Sequence, residues 1–181
     1  SEAGLIYVRV VRPSGPTYTI MDFPGFASPP DTAQEAYLRR VLEEDNDPDK
    51  LILAVLSIKH AFDHADIIHL AKRLDPASKR TIGVVTKSHL VTKNIGIVEK
   101  LQMNSIKPLV LPLGYVAVCA ADPNNFAANR PEIMQFESAF FTSNPLLKGL
   151  RRERWGLISL KSLVLNCQVR RGGWRKGGRG I

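Results

Sequence analysis

The order of apolar and polar positions along this chain alternates short β-branched runs with amphipathic stretches. Residues 5–11 and 17–22 are apolar, β-branched runs on either side of a Pro- and Gly-containing turn, which predicts an antiparallel hairpin. Residues 31–44 then carry apolar side chains at helical spacing. Residues 51–58 form a continuous apolar run, which is typical of a strand covered on both faces.

The rest of the chain repeats this alternation of helix and strand. Helical periodicity predicts further helices over 67–74, 95–101, 131–141 and 155–168, and apolar runs predict buried strands over 80–86 and 114–119. Strands that alternate with helices after an initial hairpin predict an α/β domain, with a mostly parallel sheet flanked by helices.

Length and charge change this picture only at one end of the chain. With 181 residues and 44% hydrophobic content, one domain with a single core is expected. Much of the formal net charge of +8 lies in residues 170–181, a basic, Gly-rich segment that we predict to be a disordered tail. The tail could grip phosphates, with Trp174 stacked on a base, but a nucleic-acid partner is not expected.

Cysteine use and hydropathy suggest a compartment. Cys119 and Cys167 both lie in apolar stretches, where a buried thiol is the commonest arrangement and a disulfide is not expected. No uninterrupted apolar run reaches the roughly eighteen residues that span a bilayer, and the first residues lack the pattern of a secretory signal. We therefore expect a cytoplasmic location and leave membrane association open.

Candidate chemistry begins where the second strand of the hairpin ends, at Asp22-Phe23-Pro24-Gly25. Ligands of α/β proteins bind at the ends of strands. A carboxylate such as Asp22 can hold a Mg²⁺-bound water, and Gly25 lets its amide approach a phosphate because it has no Cβ. An Asp and a Gly at this spacing also occur in ordinary turns, so the motif alone is weakly specific.

The order and spacing of five sequence blocks resemble those of the dynamin superfamily of large GTPases. The blocks are residues 22–25, 51–55, 74–76, 80–87 and 114–116. Residues 140–145 and 157–169 resemble the segments that follow, the second being similar to the last helix of the family's G domain. The resemblance implies a P-loop NTPase-like fold, with residues 1–169 as a partial dynamin-type GTPase domain.

This resemblance also implies ligands and roles for particular residues. GTP and Mg²⁺ are the implied ligands, with Asp22 at the metal and Gly25 at the γ-phosphate. Lys87 would lay its aliphatic stem along the guanine ring while Thr86 steadies the loop, although a solvated loop lysine is the plainer alternative. Membranes and microtubules are implied partners of the intact protein, which would form oligomers only if it has a stalk.

The sequence departs from the family pattern at both ends of the expected ligand. The pattern G-x-x-x-x-G-K-[ST], which supplies phosphate-binding amides, does not occur in these 181 residues, so we expect a fold that is incomplete at its N-terminus. His89 stands where the family has an aspartate. An imidazole offers at most one acceptor, so roughly 1–3 kcal/mol of base discrimination would be lost.

Three hypotheses follow from these observations. The first is a GTPase whose hydrolysis of GTP remodels membranes in the intact protein, with these residues alone inactive and none of them assigned a catalytic role. The second is a degenerate G domain that serves as an interaction module without turnover. The third, a nucleic-acid binder acting through residues 170–181, is the least favoured.

Overall fold

The structure, a computed structural model, describes residues 6–10, 18–22, 33, 36–37, 40–41, 44, 50–59, 66–92, 97–103, 110–119 and 129–171. The chain divides into two compact units, residues 1–46 and residues 47–181. Each unit has its own secondary structure.

The first unit contains the predicted hairpin. Strands β1 (Ile6–Val10) and β2 (Tyr18–Asp22) pair antiparallel, with Val8 opposite Ile20. Both of these side chains are exposed and form an apolar cross-strand pair. Within the predicted helix 31–44, the described residues that have helical conformation are Ala33, Ala36, Tyr37, Arg40, Val41 and Glu44.

The second unit is built on a parallel sheet of three strands in the order β3-β4-β5, which confirms the predicted α/β class. The strands are β3 (Ile52–Ser57), β4 (Thr81–Thr86) and β5 (Tyr115–Ala117). Helices α1 (Asp66–Leu74) and α2 (Ile97–Met103) lie between successive strands, and α3 (Arg130–Ser143) and α4 (Leu157–Arg171) follow β5. Parallel strands need such crossover connections, which explains the alternating pattern of the sequence.

One face of this sheet holds the larger part of the core. Ile68 and Ala71 of α1 pack with Leu56 of β3 and Val85 of β4, and Phe141 of α3 joins the same cluster. Phe141 also stacks on Trp155, with ring centroids 5.0 Å apart. Burial of large apolar side chains at about 25 cal/mol per Å² makes this cluster the main stabilising element of the unit.

Helix α4 covers the other face of the sheet, but only in part. Its apolar stripe, which includes the buried Cys167, packs on Ile82 and Val84 of β4 and on β5. Leu53 and Val55 of β3 pair in register with Ile82 and Val84 and so share that face, yet they are 46% and 49% exposed. Among the described residues, α4 therefore covers this face over β4 and β5 and leaves it exposed over β3.

The turn that leads into β4 is organised by a buried carboxylate, that of Asp75. It accepts hydrogen bonds from the backbone N–H groups of Lys79 and Arg80, at 3.2 and 2.9 Å, and from the Thr81 hydroxyl at 2.8 Å. Ser78 within this turn has a left-handed backbone, with φ of 50°. Because Asp75 satisfies three donors, the turn can be buried at little cost in lost hydrogen bonds.

Gly83 and Tyr115 are register partners on β4 and β5. The buried Tyr115 ring lies over Gly83, so that a Cβ at residue 83 would fall 2.1 Å from Cδ1 of the ring. Burial raises the pKa of the Tyr115 phenol above its ordinary value. Glycine at this strand position thus provides the space for a large core side chain on the neighbouring strand.

The start and end of α4 differ from the predicted helix over 155–168. Trp155 is extended, with φ of −144°, and forms a parallel bridge to Ala117. Gly156 follows with φ of 87°, and the helix begins only at Leu157. Including Trp155 in the helix was wrong, because its apolar side chain fits a helical period while its backbone extends the sheet. At the other end α4 runs through Arg171, and the rest of the predicted tail lies outside the described residues.

Candidate functional site

The carboxyl edge of the parallel sheet collects the polar residues that follow each strand. Ser57 of β3 pairs with Thr86 of β4, and Val85 of β4 pairs with Ala117 of β5. The residues after Thr86 and Ala117 therefore emerge at the same edge, which is where open parallel sheets bind ligands. The candidate site comprises the loop after β4, residues 86–90, and the beginning of the loop after β5, residues 118–119.

The loop after β4 is anchored by two hydroxyl groups on either side of Lys87. The Thr86 hydroxyl donates to the Leu56 carbonyl at 3.1 Å. The Ser88 hydroxyl, which is fully buried, donates to the Val118 carbonyl at 3.0 Å. One acceptor is a backbone carbonyl of β3 and the other is the backbone carbonyl that follows β5, so the loop has a fixed position on the edge of the sheet.

Lys87 itself has a left-handed backbone, with φ of 56° and ψ of 36°, and its side chain is exposed. Such a conformation is uncommon for a residue with a Cβ, and it costs about 1–2 kcal/mol. A short 3-10 helix, Ser88–Leu90, begins immediately after it. Strained backbone of this kind is concentrated at ligand-binding loops, because the fold must hold a side chain in a set place.

His89 lies beside the loop that follows β5. Its Nδ1 atom is 3.5 Å from the Sγ atom of Cys119, within hydrogen-bond distance for sulfur, and the imidazole tautomer decides which atom donates. Cys119 is fully buried and His89 is partly buried. The imidazole thus has one ring nitrogen next to a thiol at this edge.

Glu137 is a residue of this region that the sequence patterns did not single out. It lies on α3 and is 4% exposed, and its carboxylate accepts from the Cys119 N–H at 2.8 Å and from the Leu157 N–H at 2.7 Å. The available sequence signal is that Glu137 is a lone carboxylate between Phe136 and Phe140. An acid that is buried together with such aromatic residues must find hydrogen-bond partners.

The other predicted site residues are placed differently. Asp22 is the last residue of β2 and is exposed, but it belongs to the first unit. Gly25 lies outside the described residues. The structure therefore brings Thr86, Lys87 and His89 together, and the roles of all five predicted site residues stay predictions. In the parts of the chain that the structure describes, no cluster of three His, Cys, Asp or Glu side chains could hold a metal ion.

The loop after β4, residues 86–90, is called the Lys87 loop, and its arrangement suits the base end of a nucleotide. A flat ring can lie along the aliphatic part of an exposed lysine whose backbone is held on both sides. His89 can offer a planar ring and a nitrogen to a neighbouring ligand, but it cannot accept two hydrogen bonds as a carboxylate can. Of the helices in the described part of the chain, none has both the length and the apolar composition needed to cross a membrane.

Comparison with known proteins adds to this geometry. The profile of the Dynamin family matches residues 2–88, which include β1 to β4 and the first part of the loop after β4, through Ser88. Dynamin-related protein 3A of Arabidopsis thaliana is 32% identical over 162 residues, which are 86% of this chain and 20% of the relative. Dynamin-3 of Homo sapiens is 31% identical over 175 residues, 91% of this chain and 19% of the relative.

A relative with slightly lower identity shows the same coverage. Dynamin-B of Dictyostelium discoideum is 28% identical over 170 residues, which are 90% of this chain and 18% of that protein. The chain thus spans about a fifth of the length of the curated relatives it matches. The α/β unit with its parallel sheet is consistent with the profile match and with these relatives. This chain belongs to the dynamin superfamily and corresponds to part of the family's G domain.

Proposed function

We propose that this chain supplies the base-binding part of a dynamin-like GTPase. The observation that carries the proposal is the left-handed, exposed Lys87, held between two anchored hydroxyl residues at the carboxyl edge of the sheet. In this role the stem of Lys87 lies along the guanine ring, and Thr86 keeps the loop against β3. His89 lies next to the base without the paired acceptors that strong guanine selectivity needs.

The phosphate end of the ligand is proposed from the sequence alone. Asp22 would hold a water of Mg²⁺, and the amide of Gly25 would approach the γ-phosphate. A bound Mg²⁺ would neutralise phosphate charge, and that is its contribution to phosphoryl transfer. Because the pattern G-x-x-x-x-G-K-[ST] is missing from the 181 residues, we propose that they neither bind GTP tightly nor hydrolyse it on their own.

In the intact protein, GTP hydrolysis would be coupled to membrane remodelling from the cytoplasmic side. Membranes and microtubules are the partners proposed for that protein, and assembly into oligomers would require a stalk. What supports this proposal is membership of the same superfamily as relatives such as Dynamin-B and Dynamin-3.

A second candidate function is a G-domain interaction module without turnover. The observation that favours it is His89, which contacts Cys119 at a position where guanine selectivity would require a carboxylate. A module of this kind would keep the fold of the sheet and its surfaces and would show no nucleotide dependence. Nucleotide titration separates the two candidates.

The test is a titration with fluorescent GTP and Mg²⁺ of two proteins. One is the 181-residue chain, and the other is the same chain extended upstream by the phosphate-loop segment of a relative. We expect no micromolar binding by the chain alone and micromolar binding by the extended chain. His89→Asp in the unextended chain should restore little, because the charge-dense phosphate contacts are still missing.

The matched control for the base site is a second lysine. In the extended chain, Lys87→Ala should weaken GTP binding by about tenfold, which corresponds to roughly 1.4 kcal/mol. Lys79→Ala removes the same charge from the turn before β4, at the opposite edge of the sheet, and should leave the affinity unchanged. Failure of the extended chain to bind GTP would favour the interaction module, and equal losses in the two variants would exclude the Lys87 role.

A further inference from the structure

Glu137 connects two elements that are distant in sequence. Its Oε1 atom accepts from the N–H of Cys119, in the loop after β5, and its Oε2 atom accepts from the N–H of Leu157, the first residue of α4. The two acceptors belong to one rigid carboxylate, so the two N–H groups have a fixed separation. The loop after β5 and the beginning of α4 are therefore joined through a single side chain of α3.

This arrangement requires a carboxylate and no other group. Each oxygen faces an N–H donor, and a glutamine would direct its own NH₂ group at one of the two donors. A buried anion would be costly without compensation, but here it accepts two hydrogen bonds and lies at the N-terminus of α4, where the helix dipole stabilises negative charge. The first N–H groups of a helix also lack partners within the helix, and Glu137 supplies one.

Gly156 permits the close approach of α4 to this carboxylate. Its φ of 87° is favourable only for glycine, and a Cβ at this position would come within 3.1 Å of Oε2 of Glu137. Its own N–H donates to the Ala117 carbonyl at 2.8 Å. Gly156, which precedes α4, is thus hydrogen-bonded to β5, and Leu157, the first residue of α4, is hydrogen-bonded to Glu137.

The connection continues to the Lys87 loop. Cys119, whose N–H is held by Glu137, has its sulfur 3.5 Å from His89. Ser88 bonds to the Val118 carbonyl immediately before Cys119. Direct contacts thus lead from His89 through Cys119 and Glu137 to the beginning of α4.

We propose that Glu137 is a positioning residue that couples the candidate base-binding loop to the first turn of α4. Movement at His89 changes the hydrogen bond at Leu157, and movement of α4 changes the position of Cys119. The consequence for nucleotide binding rests on the proposed function, whereas the coupling between His89 and Leu157 does not. The two can therefore fail separately.

The coupling is measured by amide hydrogen exchange at Leu157 in the 181-residue chain without nucleotide. His89→Ala should lower the protection of this amide by about tenfold, since loss of the contact to Cys119 loosens the shared carboxylate. In Glu137→Gln the protection at Leu157 should already be low, and adding His89→Ala should change it less than about twofold. A role of Glu137 in stability alone would instead give independent, additive effects.

The matched control is Glu132→Gln. Glu132 lies on the same helix, is exposed and forms a capping box with Asn129, a position where glutamine also serves. Glu132→Gln makes the same chemical change as Glu137→Gln but does not affect the Cys119 or Leu157 amides. His89→Ala should therefore have its full effect on Leu157 in the Glu132→Gln variant. Glu137→Asp, which keeps the charge on a shorter side chain, should protect only one of the two amides.

Gly156→Ala provides a second route if Glu137→Gln does not fold. The carboxylate remains, but a Cβ 3.1 Å from Oε2 and a backbone strained at φ of 87° should separate Glu137 from the beginning of α4, so the response of Leu157 to His89→Ala should fall in the same way. The proposal is overturned if His89→Ala leaves Leu157 unchanged in the unmodified chain. It is also overturned if the response is as large in Glu137→Gln or Gly156→Ala as in the unmodified chain.

Discussion

The aromatic ring of Tyr115 occupies the space that a side chain at Gly83 would need. A Cβ at position 83 would lie 2.1 Å from the ring, far inside van der Waals contact, and the two residues are direct partners on β4 and β5. Gly83→Ala should lower the free energy of unfolding by about 3 kcal/mol, because the ring is buried on all sides and cannot move away. Urea denaturation followed by circular dichroism measures this loss.

The control for this prediction is Gly149→Ala. A Cβ there would lie 3.4 Å from Cγ1 of Val98, close to ordinary contact, so the change in stability should be below about 1 kcal/mol. In Tyr115→Ala, which removes the ring, adding Gly83→Ala should cost much less than it does alone. Strict additivity of the two substitutions would show that the ring is not what excludes the methyl group.

Alkaline pH should destabilise the protein through Tyr115. A tyrosine in an unfolded chain has a pKa of about 10, and burial raises the pKa of Tyr115 in the folded state. The folded protein thus retains a proton that the unfolded chain releases. This contribution to stability is complete below pH of about 10, and it is lost as pH rises above that value toward the folded pKa.

The measurement is the melting temperature between pH 8 and pH 11. Tyr115→Phe should show a smaller fall than the unmodified chain over this range, whatever its stability at pH 8. Parallel curves for the unmodified chain and Tyr115→Phe would contradict the prediction.

Asp75 should be the most sensitive acidic residue of the turn before β4. Asp75→Ala removes the acceptor for two N–H groups and the Thr81 hydroxyl, and we expect a loss of about 3 kcal/mol in the free energy of unfolding. Glu153→Ala, at an exposed pair with Arg151, should cost less than about 1 kcal/mol. Chemical denaturation of both variants compares them, and similar values would mean that the buried donors find water instead.

The left-handed backbone of Lys87 should be stabilised by glycine. Lys87→Gly relieves the strain of a Cβ at φ of 56°, and after the entropy cost of glycine it should raise the free energy of unfolding by about 0.5–1 kcal/mol. In the chain extended by a phosphate loop, the same variant should bind GTP more weakly. A Lys87→Gly variant that is more stable but binds GTP more weakly is the result expected if the strained backbone of Lys87 serves ligand binding.

Ser78 is the matched position for this comparison. It has φ of 50° but lies in the turn before β4, and its hydroxyl bonds to the Asp75 carbonyl at 3.5 Å. Ser78→Gly should change stability by less than about 0.5 kcal/mol and should not affect GTP binding. If Lys87→Gly lowers stability instead, the side chain of Lys87 contributes more than its backbone strain costs.

The elements of the second unit could be predicted from sequence because their signals are local. Continuous apolar runs predict β3 and β4, and the stripe of α4 has helical spacing. Trp155 was misassigned because its apolar side chain continues that spacing across Gly156. The role of Glu137 could not be predicted, because its partners are backbone N–H groups 18 and 20 residues away, and every residue but proline carries such a donor.

The partial cover that α4 gives to the sheet has a consequence for synthesis of the chain. Ile82 and Val84 are made early, but the helix that buries them is the last element of the described chain. Until residues 157–171 leave the ribosome, that face of the nascent sheet stays open to water and to chaperones. Contacts over such long sequence separations also form slowly, so folding of this unit is expected to be completed after translation of α4 rather than strand by strand.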